Sequence, residues 1–405
     1  MTAPHHPNLD DALIAAREDH ASVVALTRAL IRVPSRGGID SYEPVLEILA
    51  VWLADHHLTA TTLRDPDGAI VGLACEIAGK HPGPRWVLDA CMDTAVFGDE
   101  TAWTHPPTSA AIVDGWLWGR GAADSKIAAA IFCHIAARLA TITERLHGRA
   151  VLLFDVDEHT GGFGGAKRYF EGPGAPRDVA GVLIGYPGIG HVVIGGRGVH
   201  RVRLHVHGVA SHSGGRAATP NAIVKAADLI TALSDVELPR GASPDFPLHG
   251  KITTTAIDGG QGFSVTPDVC VVNVDVRTTP AFDNAAAADL IGRVVAEVDR
   301  AWPDTRATRI ELDTQWPPYA LEESSPLRGA LLGAARAAGL DVQPKIAGPS
   351  NIGNYLAGLG IPATAGFGVD YVGLHATDER CRIDTIPTVH AVYQHALLTL
   401  LIGER

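Results

Sequence analysis

The 405-residue sequence contains no run of the roughly 18 or more uncharged apolar residues that a membrane-spanning helix requires. It has no basic run either, and its formal net charge is -12, a balance unsuited to a phosphate backbone or an anionic membrane surface. Neither a nucleic acid nor a membrane is therefore expected as a partner. The opening residues, MTAPHHPNLDD, lack both a basic n-region and an apolar h-region, so no secretory leader is expected. Cysteine is sparse. Cys75, Cys91, Cys133, Cys270 and Cys381 are odd in number, scattered and without a CxxC pair, which argues against a disulfide framework or a structural zinc knuckle. Reduced, buried thiols in a cytoplasmic protein are the expectation. Internal repeats and low-complexity segments are also absent.

The chain is too long for one ordinary core, and its length suggests about two domains. Its 46% hydrophobic and 19% charged residues fit a globular enzyme. Apolar periodicity predicts helices over 9–33, ended by Pro34, and over 42–56. Strands are predicted over 69–77 and 85–91, a strongly apolar helix over 126–142, and buried strands over 150–156 and 180–185. Alternating strands and helices imply an α/β fold, a mainly parallel sheet flanked by helices. The texture changes near Arg197. Val202, Leu204 and Val206 alternate with Arg201, Arg203, His205 and His207, as in a sheet with one wet face. A helix over 220–234, strands over 251–257 and 269–277 and a helix over 283–301 complete a β-α-β-β-α order. That order predicts a small ferredoxin-like α+β domain inserted at 197–313 between two catalytic parts, 1–196 and 314–405.

Four polar clusters lie at element ends: Cys91-Met92-Asp93, the glycine-flexed loop Gly119 to Lys126 around Asp124, Asp157-Glu158-His159-Thr160-Gly161-Gly162, and His375 to Glu379. Each has an ordinary explanation. Asp124 could be a helix N-cap, Asp157 and Glu158 a solvated loop, His375 a surface histidine. Their order carries more than any one of them. With Trp103-Thr104-His105-Pro106-Pro107, Asp114-Gly115-Trp116-Leu117-Trp118, Ala210-Ser211-His212-Ser213, Pro220-Asn221-Ala222-Ile223 and Asp275-Val276-Arg277, the chain resembles one family over nearly its whole length. This is the co-catalytic zinc family of aminoacylase, succinyl-diaminopimelate desuccinylase, acetylornithine deacetylase and carboxypeptidase G, the M20-like exopeptidases. The Gly-Arg-Gly-x-x-Asp-x-Lys segment is the most specific element.

The resemblance implies a zinc-exopeptidase-like catalytic domain and a homodimer formed through the inserted domain. It implies a bridging metal ligand at Asp124 and a general base at Glu158 for the attacking water. His159 and His375 fall on ligands of one metal. His212 falls on a residue that reaches the partner's site to stabilise the oxyanion, and Arg277, with Asn221, on substrate contacts. Asp93 falls behind the ligands as their support. Three positions depart from the pattern: Cys91 replaces a histidine ligand, His159 an acidic ligand, and Tyr186 another acidic ligand. Asp124, His159 and His375 remain a good set for one divalent ion, Zn2+ first, with Ni2+, Co2+, Mn2+ or Fe2+ also suited. Tyrosine, with an ordinary pKa near 10, is a poor ligand, so a second ion is doubtful. Cys91 stays open between a thiolate ligand and a thiol filling the vacated volume; a nucleophilic role would need an adjacent base. The expected activity is hydrolysis of an amide in a small N-acyl amino acid or dipeptide-like substrate bearing a carboxylate. A lyase or acyl-transfer reaction on the same scaffold, or an inactive binding protein, are the alternatives.

Overall fold

The computed structural model describes residues 8–402 apart from 217, 240–242 and 365. The expectation about a leader falls largely on residues 1–7, outside the described residues. The chain opens with helix α1 (Leu9–Ile31), whose N-cap Asn8 accepts the Asp10 N–H at 3.0 Å. Helix α2 (Glu43–Asp55) carries Pro44 in its first turn. There follow β1 (Ala60–Arg64), β2 (Ile70–Ala78), β3 (His81–Cys91), α3 (Lys126–Ala140), β4 (His147–Asp155), α4 (Gly164–Phe170) and β5 (Val179–Ile184).

The five strands form one sheet in the order β1-β2-β4-β3-β5. The pairs β3–β4 and β3–β5 are parallel, and β1–β2 and β2–β4 antiparallel. The sheet is thus mixed, with its parallel part where the polar clusters emerge. Ala150 to Phe154 of β4 are buried throughout, as expected of a strand covered on both faces. In the β3–β4 register Cys91 lies beside Asp155. Both strands therefore release their polar residues at the same sheet edge, the carboxyl end where α/β sheets place ligands.

A strand β6 (His191–Gly196) leads into a second sheet. Its elements are β7 (Gly198–His207), α5 (Ala222–Ser234), β8 (Lys251–Gly259), β9 (Val269–Thr278), α6 (Asn284–Ala301) and β10 (Arg309–Trp316). All pairings are antiparallel, in the order β8-β9-β7-β10. That is the ferredoxin-like arrangement. Val202, Leu204, Val206, Val272, Val274 and Val276 pack with Leu229, Ile291 and Val295 of α5 and α6 into a core separate from that of the first sheet. The periodicity reading missed β10, which extends past residue 313. Ile310 and Leu312 are 41% and 50% exposed on this edge strand, so its apolar residues mark no closed core.

The chain then returns through α7 (Pro326–Ala337), β11 (Gln343–Ala347), α8 (Ile352–Gly358) and α9 (Ile386–Ile402) to the first core. β11 pairs in parallel with β6. No helix among the described residues is long and apolar enough to cross a membrane.

Candidate active site

The site grows from Asp93, just beyond the end of β3. Its side chain is fully buried and saturated with donors. One oxygen, Oδ1, accepts the Glu158 N–H at 3.0 Å and the Cys91 thiol at 2.9 Å. The other, Oδ2, accepts the His159 N–H at 3.0 Å and lies 3.2 Å from His159 Nδ1. Burial opposes ionisation of Asp93, but His159 and the other donors outweigh it and hold the carboxyl below its ordinary range. With Nδ1–H of His159 given to Asp93, the Nε2 edge of the ring is turned the other way.

That edge meets Asp124 and His375. His375 Nε2 lies 2.8 Å from Asp124 Oδ2, and His159 Nε2 lies 3.3 Å from His375 Nε2 and 3.6 Å from Asp124 Oδ2. Three donor atoms at these separations fit a small ion: tetrahedral ligands about 2.0–2.1 Å from zinc stand about 3.3 Å apart. Asp124 Oδ1 is taken by the Ser125 hydroxyl at 2.8 Å, which leaves Oδ2 to face the two rings. Burial works to lower the His159 pKa, but the Asp124 and Asp93 carboxylates raise it to about 11. A cation seated here must therefore displace a proton. His375 and Asp378 sit in the left-handed backbone region, at φ 59° and 64°, and Asp157 at φ 75°. Non-glycine residues pay conformational energy there and remain only where surrounding contacts hold them.

Glu158 lies next to this group. Burial first, and then the Asp124 carboxylate, push its pKa up to about 7. The second donor set is different in kind. Burial, with Asp93 and Glu158 adding, drives the Cys91 pKa well up, and the thiol donates to Asp93. Burial and Asp124 likewise raise the Tyr186 phenol. Cys91, Asp93 and His159 also lie within 4.8 Å of one another as potential donors. However, the two Asp93 oxygens already accept four hydrogen bonds, and His159 Nδ1 is one of the donors.

The remaining expected residues lie elsewhere. His212 is exposed on a short strand pairing Ser211–His212 with Val265–Thr266, and its Nδ1 accepts the Gly214 N–H at 3.0 Å. Among the described residues, its side-chain hydrogen bond stays within this loop and does not reach Asp124, His159 or His375. Asn221 caps α5, its Oδ1 accepting the Ile223 N–H at 2.8 Å. Arg277 binds Asp275 at 2.7 Å and reaches Ser350 Oγ at 3.2 Å, so it links the inserted sheet to the chain that returns to the first core.

Two features were given no role by the sequence reading. Asp89 and Asp155 are buried carboxyls, and neither oxygen of Asp155 has a hydrogen-bond donor. Their position at the ends of apolar strands was the only signal. Arg120 and Glu379 stand inside the quoted motifs but received no role; they form a buried ion pair at 2.6 Å.

The chain resembles known proteins over most of its length. Residues 87–399 match the model of Peptidase family M20/M25/M40. A succinyl-diaminopimelate desuccinylase of Cereibacter sphaeroides is 27% identical over 391 residues, covering 92% of this chain and 97% of that protein. One of Marinobacter nauticus is 28% identical over 334 residues, covering 79% and 84%. Among solved structures, an M20 family metallo-carboxypeptidase of Sulfolobus solfataricus superposes with a TM-score of 0.71 at 17% identity, covering 95% of this chain and 99% of that one. A Bacillus subtilis protein described as a dinuclear metal binding peptidase from the same family gives 0.70 at 16%, covering 96% and 100%. These structural likenesses concern the fold.

Proposed function

Because this chain belongs to peptidase family M20/M25/M40 and is a metal-dependent amidohydrolase, we propose that it cleaves a small N-acyl amino acid or dipeptide-like substrate bearing a carboxylate, using one divalent ion. The observation that carries this reading is the meeting of His159 Nε2, His375 Nε2 and Asp124 Oδ2 within 3.6 Å of one another, beside the Glu158 carboxyl. Asp124, His159 and His375 hold the ion, with Zn2+ best suited to two imidazoles and a carboxylate. When bound, it polarises the scissile carbonyl and acidifies water. Glu158 accepts a proton from the attacking water and returns it to the leaving nitrogen. Asp93 fixes the His159 ring through Nδ1 and so orients Nε2. The Cys91 thiol is already engaged with Asp93 at 2.9 Å, and the Tyr186 phenol is a poor zinc ligand, which supports one ion over two.

The inserted domain, 197–313, joins two copies into a homodimer. The separate core under its sheet supports treating it as a unit between 1–196 and 314–405. His212, exposed and remote from its own chain's donors, serves the partner's site as the oxyanion donor. Arg277 holds the substrate carboxylate, and Asn221 is a second substrate contact. The protein acts in the cytoplasm.

Glu158→Gln tests the mechanism. Turnover of a panel of N-acyl amino acids and dipeptides should fall about 10²–10⁴-fold, while metal content stays at one ion per chain. Unchanged turnover rejects Glu158 as the base.

A further inference from the structure

The ligand loops are cross-linked by one buried ion pair that none of the roles above uses. Glu379 is fully buried, and its Oε1 accepts the backbone N–H groups of Gly121 and Ala123 at 3.0 Å each and of Asp124 at 3.3 Å. Its Oε2 takes Arg120 Nη1 at 2.6 Å. The same guanidinium sends Nη2 to the carbonyl of His375 at 3.2 Å and to that of Val96 at 2.9 Å. It also lies over the Trp103 ring, 5.2 Å from the centroid. One carboxylate thus gathers the loop that presents Asp124, and its partner cation grips the residue that supplies the His375 ring.

His375 sits at φ 59° and Asp378 at φ 64°. Asp378 is tied down separately, accepting the Thr104 N–H and hydroxyl at 2.7 Å each. A left-handed histidine does not hold itself in place, and the contacts that hold it run through Arg120 and Asp378. Asp124 and His375 lie in loops far apart in the chain. A short antiparallel ladder pairs Trp116–Trp118 with Arg380–Arg382, and the Gly119 N–H adds the Glu379 carbonyl at 2.9 Å. This ladder brings the two loops alongside but stops short of either donor, and the Arg120–Glu379 pair continues the link from there to Asp124 and His375.

We propose that the Arg120–Glu379 pair is a positioning device that sets the spacing of Asp124 and His375 before any ion arrives. It therefore governs metal affinity, over and above stability. This inference rests on Asp124, His159 and His375 being the donors.

The test uses purified full-length chain stripped of metal, titrated with Zn2+ by calorimetry and with Co2+ by visible absorption. Glu379→Gln keeps an oxygen for the three N–H groups but removes the charge that fixes Arg120. It should weaken ion binding about 10–100-fold, the range for residues that orient ligands, and alter the Co2+ spectrum, while circular dichroism shows a folded chain. Arg120→Lys keeps a charge but cannot grip Glu379 and the His375 carbonyl together; it should fall between Glu379→Gln and wild type. A folded Glu379→Gln or Arg120→Lys protein with wild-type ion affinity and spectrum, but a lower melting temperature, overturns the proposal and leaves the pair structural. His375→Ala separates the two readings. If it keeps full ion affinity, the donor assignment has failed; if it loses the ion while Glu379→Gln does not, only the positioning role has.

Discussion

Two sets of side chains gathered at the carboxyl end of the first sheet differ in what they turn toward the site. Asp124, His159 and His375 present one carboxylate oxygen and two ring nitrogens to a common point. Cys91 and Tyr186 present a thiol and a phenol whose protons burial holds in place, the Cys91 proton directed to Asp93. The backbone brings both sets to the same place. The difference lies in residue chemistry: a group whose proton is held by a low-dielectric setting is a weak ligand until something removes that proton. The comparison also shows how one carboxylate serves both sets. Asp93 fixes the ring of His159 on one side and occupies the thiol of Cys91 on the other.

The largest expected effect breaks the first set. His375→Ala should weaken ion binding by more than about 100-fold, beyond what loss of a supporting residue costs, and remove turnover, as read by metal analysis and a substrate assay. Retained metal would dissolve the contrast between the sets. The second effect converts the altered set. Cys91→His combined with Tyr186→Glu should raise metal content from one ion per chain to two; content that stays at one means that backbone placement, and not side-chain chemistry, decides the count.

A third prediction probes the buried carboxyls beneath both sets. Burial, with Asp89 and Glu158 adding, pushes the Asp155 pKa well above its ordinary 3.8. The folded chain then keeps a proton that the unfolded chain releases above that pH. Stability from this group is greatest below 3.8 and declines as pH rises toward the folded value, by about 1.4 kcal/mol per unit. Asp155→Asn removes the slope. Urea unfolding should show the variant gaining on wild type as pH rises from 5 to 8; a constant difference contradicts a buried carboxyl that keeps its proton in the folded chain. The smallest effect is Cys91→Ser, expected to leave ion stoichiometry at one and ion affinity within about threefold, since a hydroxyl can donate to Asp93 as the thiol does. A large loss of metal would make Cys91 a ligand.

Much of this was legible before the fold was seen. The apolar run over 126–142 became α3, the alternation over 200–207 became β7, and the polar residues after Leu88 emerged at a strand end, because each is a local pattern with a local cause. The edge strand β10 was not legible, since half-exposed Ile310 and Leu312 give alternation without a core to close. That Asp89 and Asp155 are buried side by side was not legible either. A carboxyl in an apolar strand reads as buried or as an error in the strand, and only the register of β3 and β4 places them together.

The sequence by itself determined which side chains are capable of holding an ion and which elements carry them, because helix and strand formation follow from short-range spacing. Only the tertiary structure decided that His159 gives Nδ1 to Asp93 and Nε2 to the site, that Cys91 spends its proton on the same carboxylate, and that Glu379 gathers the Asp124 loop. The first and last join segments distant in the chain, and the Cys91–Asp93 contact, though only two residues apart, forms inside a buried setting that distant segments build. Their directions depend on packing and burial, which no local pattern of residues encodes.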